Sequence, residues 1–191
     1  STDVEIKAVD CHDVFGGGFM GDVLKATTVR IGTNKPDATS ALNNSDIYIH
    51  GNIYGGNDVS GYVNVVLNKD GYFKDNGGTG TNIQIFGGHI YGDVYGAGNG
   101  NYLYANDRNG NKKVTVNEYY PLNPDDPKSE TVPLVYTVPM RSTMPSLGAA
   151  TDAVKIVNIN SWRPLTNRVS IHINGTSATD TICIDGNVYG G

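Results

Sequence analysis

The sequence predicts an all-β protein, a parallel β-helix (β-solenoid) with a projecting β-hairpin insertion, and three observations lead there. A polar–Ile/Val–aromatic–Gly phrase recurs at Asp13-Val14-Phe15-Gly16, Asn52-Ile53-Tyr54-Gly55, His89-Ile90-Tyr91-Gly92, Asp93-Val94-Tyr95-Gly96 and Asn187-Val188-Tyr189-Gly190. Short alternating strands precede most copies. Gly (25) and Asn (21 along the chain) are abundant, and these residues tolerate the tight, frequent turns that a repeat architecture needs.

The strands are Ile47-Tyr48-Ile49, Ile83-Gln84-Ile85 and Ile182-Cys183-Ile184, each ahead of a phrase. Val29-Arg30-Ile31, Val63-Asn64-Val65, Val154-Lys155-Ile156 and Val169-Ser170-Ile171-His172-Ile173 follow the same pattern. Alternation with period two puts Ile and Val on one face, and one such unit cannot bury that face alone. Stacking the units at ~4.8 Å merges the apolar faces into a common core. Starts at residues 29, 47, 63 and 83 suggest one coil per 16 to 20 residues. Seven or so coils would then make a rod of about 30–35 Å. The polar residue of each phrase is expected at a corner, bonding locally to backbone, with the aromatic stacked on its copies or facing solvent. A β-sandwich or hairpin meander is the competing architecture, and the repeated corner phrase favours the solenoid. No stretch shows helical spacing of apolar residues.

The organisation expected is solenoid coils over 1–100, a Pro-rich insertion over 101–150 and solenoid coils over 151–191. Six of the eight prolines fall between Pro121 and Pro145, where the repeats vanish. Asn109-Gly110, flanked by Tyr102-Leu103-Tyr104 and Val114-Thr115-Val116, predicts a β-hairpin. A second pair is expected between Glu118-Tyr119-Tyr120 and Leu134-Val135-Tyr136. The opening Ser1 and the closing Gly190-Gly191, inside a phrase, suggest a piece of a longer chain.

The net charge of −5 is scattered, with no basic run. This argues against nucleic acid, whose phosphates need clustered positive charge, and against an anionic membrane surface. No apolar run approaches the length of a transmembrane helix, so no direct membrane insertion of this segment is expected. Cys11 and Cys183 would lie tens of ångströms apart in a linear stack, beyond the ~7 Å Cα limit for a disulfide.

Candidate chemistry is sparse. Asp107, Asn109, Asn111, Thr115 and Glu118 fall at oxygen-ligand positions of a twelve-residue calcium loop. Lys112 stands where the turn Gly belongs, and the Asn109-Gly110 hairpin explains the same residues more simply. Calcium is the one candidate ion, and no cofactor is otherwise expected. His12, His50, His89 and His172 form no paired metal spacing; His89 reads as a corner residue, His50 and His172 as outward strand residues. Asp93, Asp152, Asp180 and Asp185 are the acids available for a glycosidase pair, yet each has a turn or corner explanation, and no catalytic residue is assigned. Gly16-Gly17-Gly18 and Gly96-Ala97-Gly98 read as turns rather than phosphate loops. Trp162, beside Arg163, with Tyr119, Tyr120 and Tyr136, offers aromatic faces for sugar rings or a protein contact.

The phrases Gly51-Asn52-Ile53-Tyr54-Gly55-Gly56-Asn57 and Gly186-Asn187-Val188-Tyr189-Gly190-Gly191 resemble the G-N-V-Y-G-G repeats of large surface proteins from gut and oral Bacteroidetes. The resemblance covers about half the chain. It implies an adhesin-type β-solenoid, extracellular at the bacterial cell surface, with a glycan or surface protein as partner. It carries no catalytic residues. Asp180-Thr181-Ile182 looks like the O-glycosylation tripeptide of that phylum, with Thr181 as acceptor. The function expected is therefore a non-catalytic scaffold presenting a binding surface. The alternatives are a pectate-lyase-like polysaccharide lyase or hydrolase, and an accessory glycan-binding subunit of an outer-membrane uptake complex.

Overall fold

The computed structural model describes residues 1–34, 44–67, 73–74, 77–101, 103–106, 112–116, 134–137, 164–175 and 181–190. Period-two runs of Ile and Val become short strands, and Gly-polar corners separate them. The first pass of the chain makes β1 (Thr2–Ile6), β2 (Val9–Cys11) and β3 (Val14–Phe15); the second makes β4 (Thr27–Ile31), β5 (Ile47–Ile49) and β6 (Ile53–Tyr54). Short strands β7 (Tyr62–Val63), β8 (Val66–Leu67) and β9 (Phe73–Lys74) follow, and β8 pairs antiparallel with β9. The third pass makes β10 (Thr79–Ile85), β11 (Gly88–Ile90) and β12 (Val94–Tyr95). After β13 (Leu103–Asn106), β14 (Lys112–Val116), β15 (Leu134–Thr137) and β16 (Leu165–Thr166), the fourth pass makes β17 (Arg168–Ile173), β18 (Ile182–Ile184) and β19 (Val188–Tyr189).

These passes stack. Three four-stranded sheets result, β1-β4-β10-β17, β2-β5-β11-β18 and β3-β6-β12-β19, and every neighbouring pair within them is parallel. The protein is all-β, with no α-helix among the described residues and a single 3₁₀ turn at Asn44–Asp46. Parallel strands contributed in the same order by successive passes are compatible with a β-helix. No helix among the described residues is long and apolar enough to cross a membrane.

One core serves all three sheets. Val29, Ile31, Ile83 and Ile85 from the first sheet meet Ile47, Ile49 and Ile90 from the second and Val14, Ile53 and Val94 from the third. In register, Ile6, Ile31, Ile85 and Ile173 form one inward column. Its two middle members are fully buried, whereas Ile173 on the last rung is 43% exposed. Burying such a side chain contributes about 1.5–3 kcal/mol, so the middle rungs hold most of the stability.

The described part of the stack has four rungs per sheet rather than about seven coils. None of the 16–20-residue intervals is a full pass: β4 and β5 belong to different sheets, and the partner of Val29 on the next pass is Ile83. Cys11 and Cys183 are therefore about 14 Å apart along the stack, nearer than the sequence suggests, at ~4.8 Å per rung. They still cannot bridge. Cys11 lies beside inward Ile49 and packs against the core, whereas Cys183 lies beside His89, whose neighbour Ile90 is the inward residue.

The Asn109-Gly110 hairpin strands pair as expected, β13 against β14. The second expected pair is different: β15 adds to β14, with Leu134 opposite Val116 and Thr137 opposite Lys113. A strand already exposing a hydrogen-bonding edge is the nearest partner, so a three-stranded antiparallel sheet forms. Residues 118–120 and the strand expected at Val154-Lys155-Ile156 lie outside the described residues.

Candidate functional site

The third sheet shows what the repeated phrase does. Four of the five copies stack there, one per rung: Val14 beside Ile53, Ile53 beside Val94, and Val94 beside Val188. The first three polar residues each reach the next rung rather than their own backbone. Asp13 Oδ1 accepts from the Asn52 N–H at 2.6 Å, Asn52 Oδ1 from the Asp93 N–H at 2.7 Å, and Asp93 Oδ1 from the Asn187 N–H at 2.7 Å. The aromatics stack as expected, Phe15–Tyr54–Tyr95–Tyr189, with ring centroids 4.8, 5.1 and 5.0 Å apart. The Asn187 N–H and then the Tyr95 hydroxyl hold the Asp93 carboxyl below its ordinary value. Asp93 in turn pushes the Tyr95 phenol up to about 12, with burial adding to the effect. These groups are committed to holding the rungs together.

The fifth copy does something else. His89 is no corner residue: it sits in the middle of β11, between Tyr48 of β5 and Cys183 of β18. Alternation sends Ile47, Ile49 and Ile90 inward with their register partners Cys11 and Ile184, so the residues between them face out. One outward column runs Asp10, Tyr48, His89, Cys183. Two residues further along, His50, Tyr91 and Asp185 make a second column, held by N–H bonds to Cys11, Ile49 and Ile90 carbonyls at 2.9 Å each.

The two columns are joined by contacts across all four rungs. Asp10 pairs with His50 Nε2 at 2.7 Å. His50 stacks on Tyr91 with centroids 5.0 Å apart, and Tyr91 stacks on His89 at 3.9 Å. His89 Nε2 lies 3.0 Å from Asp185 Oδ2, and the Cys183 thiol donates to Asp185 Oδ1 at 3.4 Å. Tyr48 and Tyr91 are 40% and 42% exposed, so the face presents aromatic surface as well as charge.

Electrostatics argue against nucleophilic chemistry at this face. The hydrogen bond from His89, then that from Cys183, holds the Asp185 carboxyl below its ordinary value. Asp185 and partial burial push the Cys183 thiol up. Burial, then Asp10 and Asp13, does the same to Cys11. A nucleophilic cysteine needs the opposite, a thiolate stabilised by positive surroundings. His89, Cys183 and Asp185 do bring three potential metal-ligand atoms within 4.8 Å of one another.

Among the residues singled out in the sequence, Asp93 and Asp185 are engaged as above. His50 and His172 are exposed, as their alternation predicts. Thr181 is exposed at the approach to β18, and its carbonyl accepts from the Gly88 N–H at 3.1 Å. Thr115 lies on β14 and Tyr136 on β15, with Tyr136 opposite Val114. Asp107, Asn109, Asn111, Glu118, Tyr119, Tyr120, Asp152, Trp162, Arg163 and Asp180 lie outside the described residues.

The His89–Cys183–Asp185 group escaped sequence reasoning because its members are 94 and 96 positions apart. Aligning His89 with the Asp and Asn of the other phrases hid it. Aligning Gly88-His89-Ile90-Tyr91-Gly92-Asp93 with Ile182-Cys183-Ile184-Asp185-Gly186-Asn187 by their shared Ile and Gly reveals it. No protein-family model, no curated protein and no solved structure matches the chain.

Proposed function

We propose that the chain is a non-catalytic segment of a bacterial cell-surface protein, a closed parallel β-helix serving as a rigid scaffold that presents a glycan- or protein-binding surface. The observation that carries this reading is the hand-over of Asp13, Asn52, Asp93 and Asn187 from rung to rung. The residues that recur most are spent on stacking, which is what a spacer or display scaffold requires. Outward aromatics supply the contact surface. Tyr48 and Tyr91 join Trp162, Arg163, Tyr119, Tyr120 and Tyr136 as the groups that would stack on sugar rings or anchor a partner. The resemblance to G-N-V-Y-G-G surface proteins supports an extracellular location.

A glycan-array screen with product analysis of each hit tests this reading. The expected result is binding without cleavage, weakened at least about tenfold in Tyr91→Ala or Trp162→Ala, as for loss of a binding hot spot. Cleaved product would replace the scaffold reading with the polysaccharide lyase or hydrolase.

A further inference from the structure

We propose that His89, Cys183 and Asp185 form a zinc site that clamps the fourth rung of the stack to the third. The three side chains share one face of neighbouring strands. His89 is the register partner of Cys183, and Asp185 follows two residues later, so period two returns it to the same face. Backbone bonds fix the strands under them, Gly88 N–H to Thr181 carbonyl at 3.1 Å and Asp185 N–H to Ile90 carbonyl at 2.9 Å.

The spacing suits a small tetrahedral ion. Zinc bonds of about 2.0–2.3 Å place neighbouring ligand atoms roughly 3.3–3.7 Å apart. The pair distances here are 3.0 Å for His89 Nε2 to Asp185 Oδ2 and 3.4 Å for Cys183 Sγ to the other carboxylate oxygen, Oδ1, and one ligand atom from each of the three residues lies within 4.8 Å of the others. Shifts of a few tenths of an ångström to about an ångström, at partly exposed side chains, would bring them onto one ion. The His89 ring is already oriented by its stack on Tyr91.

The donor set selects the ion class. One imidazole nitrogen, one thiolate and one carboxylate suit a borderline divalent transition ion, not calcium or magnesium, which want oxygen alone. Three protein ligands leave a fourth position for water. Binding is a proton exchange: the Cys183 thiol gives its proton to solvent as the sulfur–zinc bond forms, and the proton that His89 Nε2 shares with Asp185 leaves that nitrogen, the neutral ring keeping its one proton on Nδ1, so that Nε2 can bind the ion. The Asp185 carboxylate exchanges its bonds to His89 and Cys183 for one to the metal. Affinity should therefore rise with pH.

The ion would tie β11 to β18 at the more exposed end of the stack, where Val188, Tyr189 and Ile173 are 43–45% exposed. Binding only to the folded state raises the unfolding temperature by mass action.

The test uses the full chain titrated with zinc by calorimetry, and with cobalt(II) as a spectroscopic stand-in. One site is expected, with a thiolate-to-cobalt charge-transfer band that zinc abolishes and an unfolding temperature that rises with zinc. Cys183→Ser should lose the band, and Cys183→Ser, His89→Gln and Asp185→Asn should each lose at least about tenfold in zinc affinity, the least that removing even an outer-shell partner costs. The three side chains are partly exposed, so the variants should fold, which circular dichroism checks. Absence of the band in the wild-type chain would overturn the site. So would zinc stabilisation that survives in Cys183→Ser, since His12 with Asp13 and His50 with Asp10 are rival pairs.

Discussion

The first rung crosses from the second sheet to the third with His12-Asp13, whereas the later rungs use His50-Gly51-Asn52, Tyr91-Gly92-Asp93 and Asp185-Gly186-Asn187. The difference is a glycine, and the rung beneath explains it. A Cβ on Gly51 would fall 2.2 Å from Asp13 Oδ1, on Gly92 2.3 Å from the Gly51 carbonyl oxygen, and on Gly186 2.4 Å from that of Gly92. No described rung lies beneath His12. The next corner repeats the lesson in the opposite direction. A Cβ on Gly16 or Gly55 would come within 2.3 Å of the next rung's glycine carbonyl oxygen, and one on Gly96 within 2.9 Å, whereas Gly190 has nothing within 4 Å. None of these glycines has a positive φ. They are required for room between rungs, not for a special turn.

The ends also differ at the first sheet. Thr2, Thr27 and Thr81 stand in register, and each hydroxyl donates to the carbonyl of the glycine closing its own pass, Gly16, Gly55 and Gly96. The fourth rung puts Val169 in that column, which has no hydroxyl to donate. The middle rungs therefore carry packing, hydrogen bonds and steric fit together, and the ends carry fewer of them.

Substitutions sharpen that contrast. The largest effect is expected in the core: Ile83→Ala should cost about 4 kcal/mol in urea denaturation, and the exposed Ile173→Ala less than about 1 kcal/mol. Equal costs would mean the rungs are not differentially buried. Gly92→Ala should cost about 3 kcal/mol, because its obstacle is backbone that must move, whereas Gly190→Ala should stay within about 0.5 kcal/mol. Thr81→Val should cost about 1 kcal/mol by removing the donor to the Gly96 carbonyl.

The smallest effect at neutral pH is expected of Asp93→Asn. Asn52 already performs both tasks one rung earlier, accepting from Asp93 N–H and donating Nδ2 to the Tyr54 hydroxyl at 3.1 Å. The acid profile should change instead. A carboxyl held low in the fold adds stability above its unfolded value, 3.8 here, and loses that contribution as pH falls through the folded value. Asp93→Asn should thus flatten the loss of unfolding temperature below about pH 4. An unchanged profile would show that Asp93 does not hold Asn187.

Much of this was legible in the chain. Period-two Ile and Val marked the strands, and the phrase Asn52-Ile53-Tyr54-Gly55 marked the corners and the aromatic stack. The number of strands per pass was not legible, because the passes are unequal: Thr27 lies beside Thr81, and Thr81 beside Val169. Loops of any length can join stacked strands at little entropic cost, so spacing along the chain is a poor ruler. The outward His–Tyr–Asp–Cys face was hidden for the same reason, since register alone brings its members together.

The register between passes is the central claim, and a cysteine pair tests it most directly. Thr28 and Asn82 are partners on neighbouring parallel strands. Cα atoms one rung apart, ~4.8 Å, fall inside the disulfide range. Thr28→Cys with Asn82→Cys should cross-link on mild oxidation, seen by peptide mass mapping. Thr28→Cys with Gln84→Cys, displaced by two residues to about 8 Å, should not. Cross-linking of the displaced pair in preference to the in-register pair would contradict the stack.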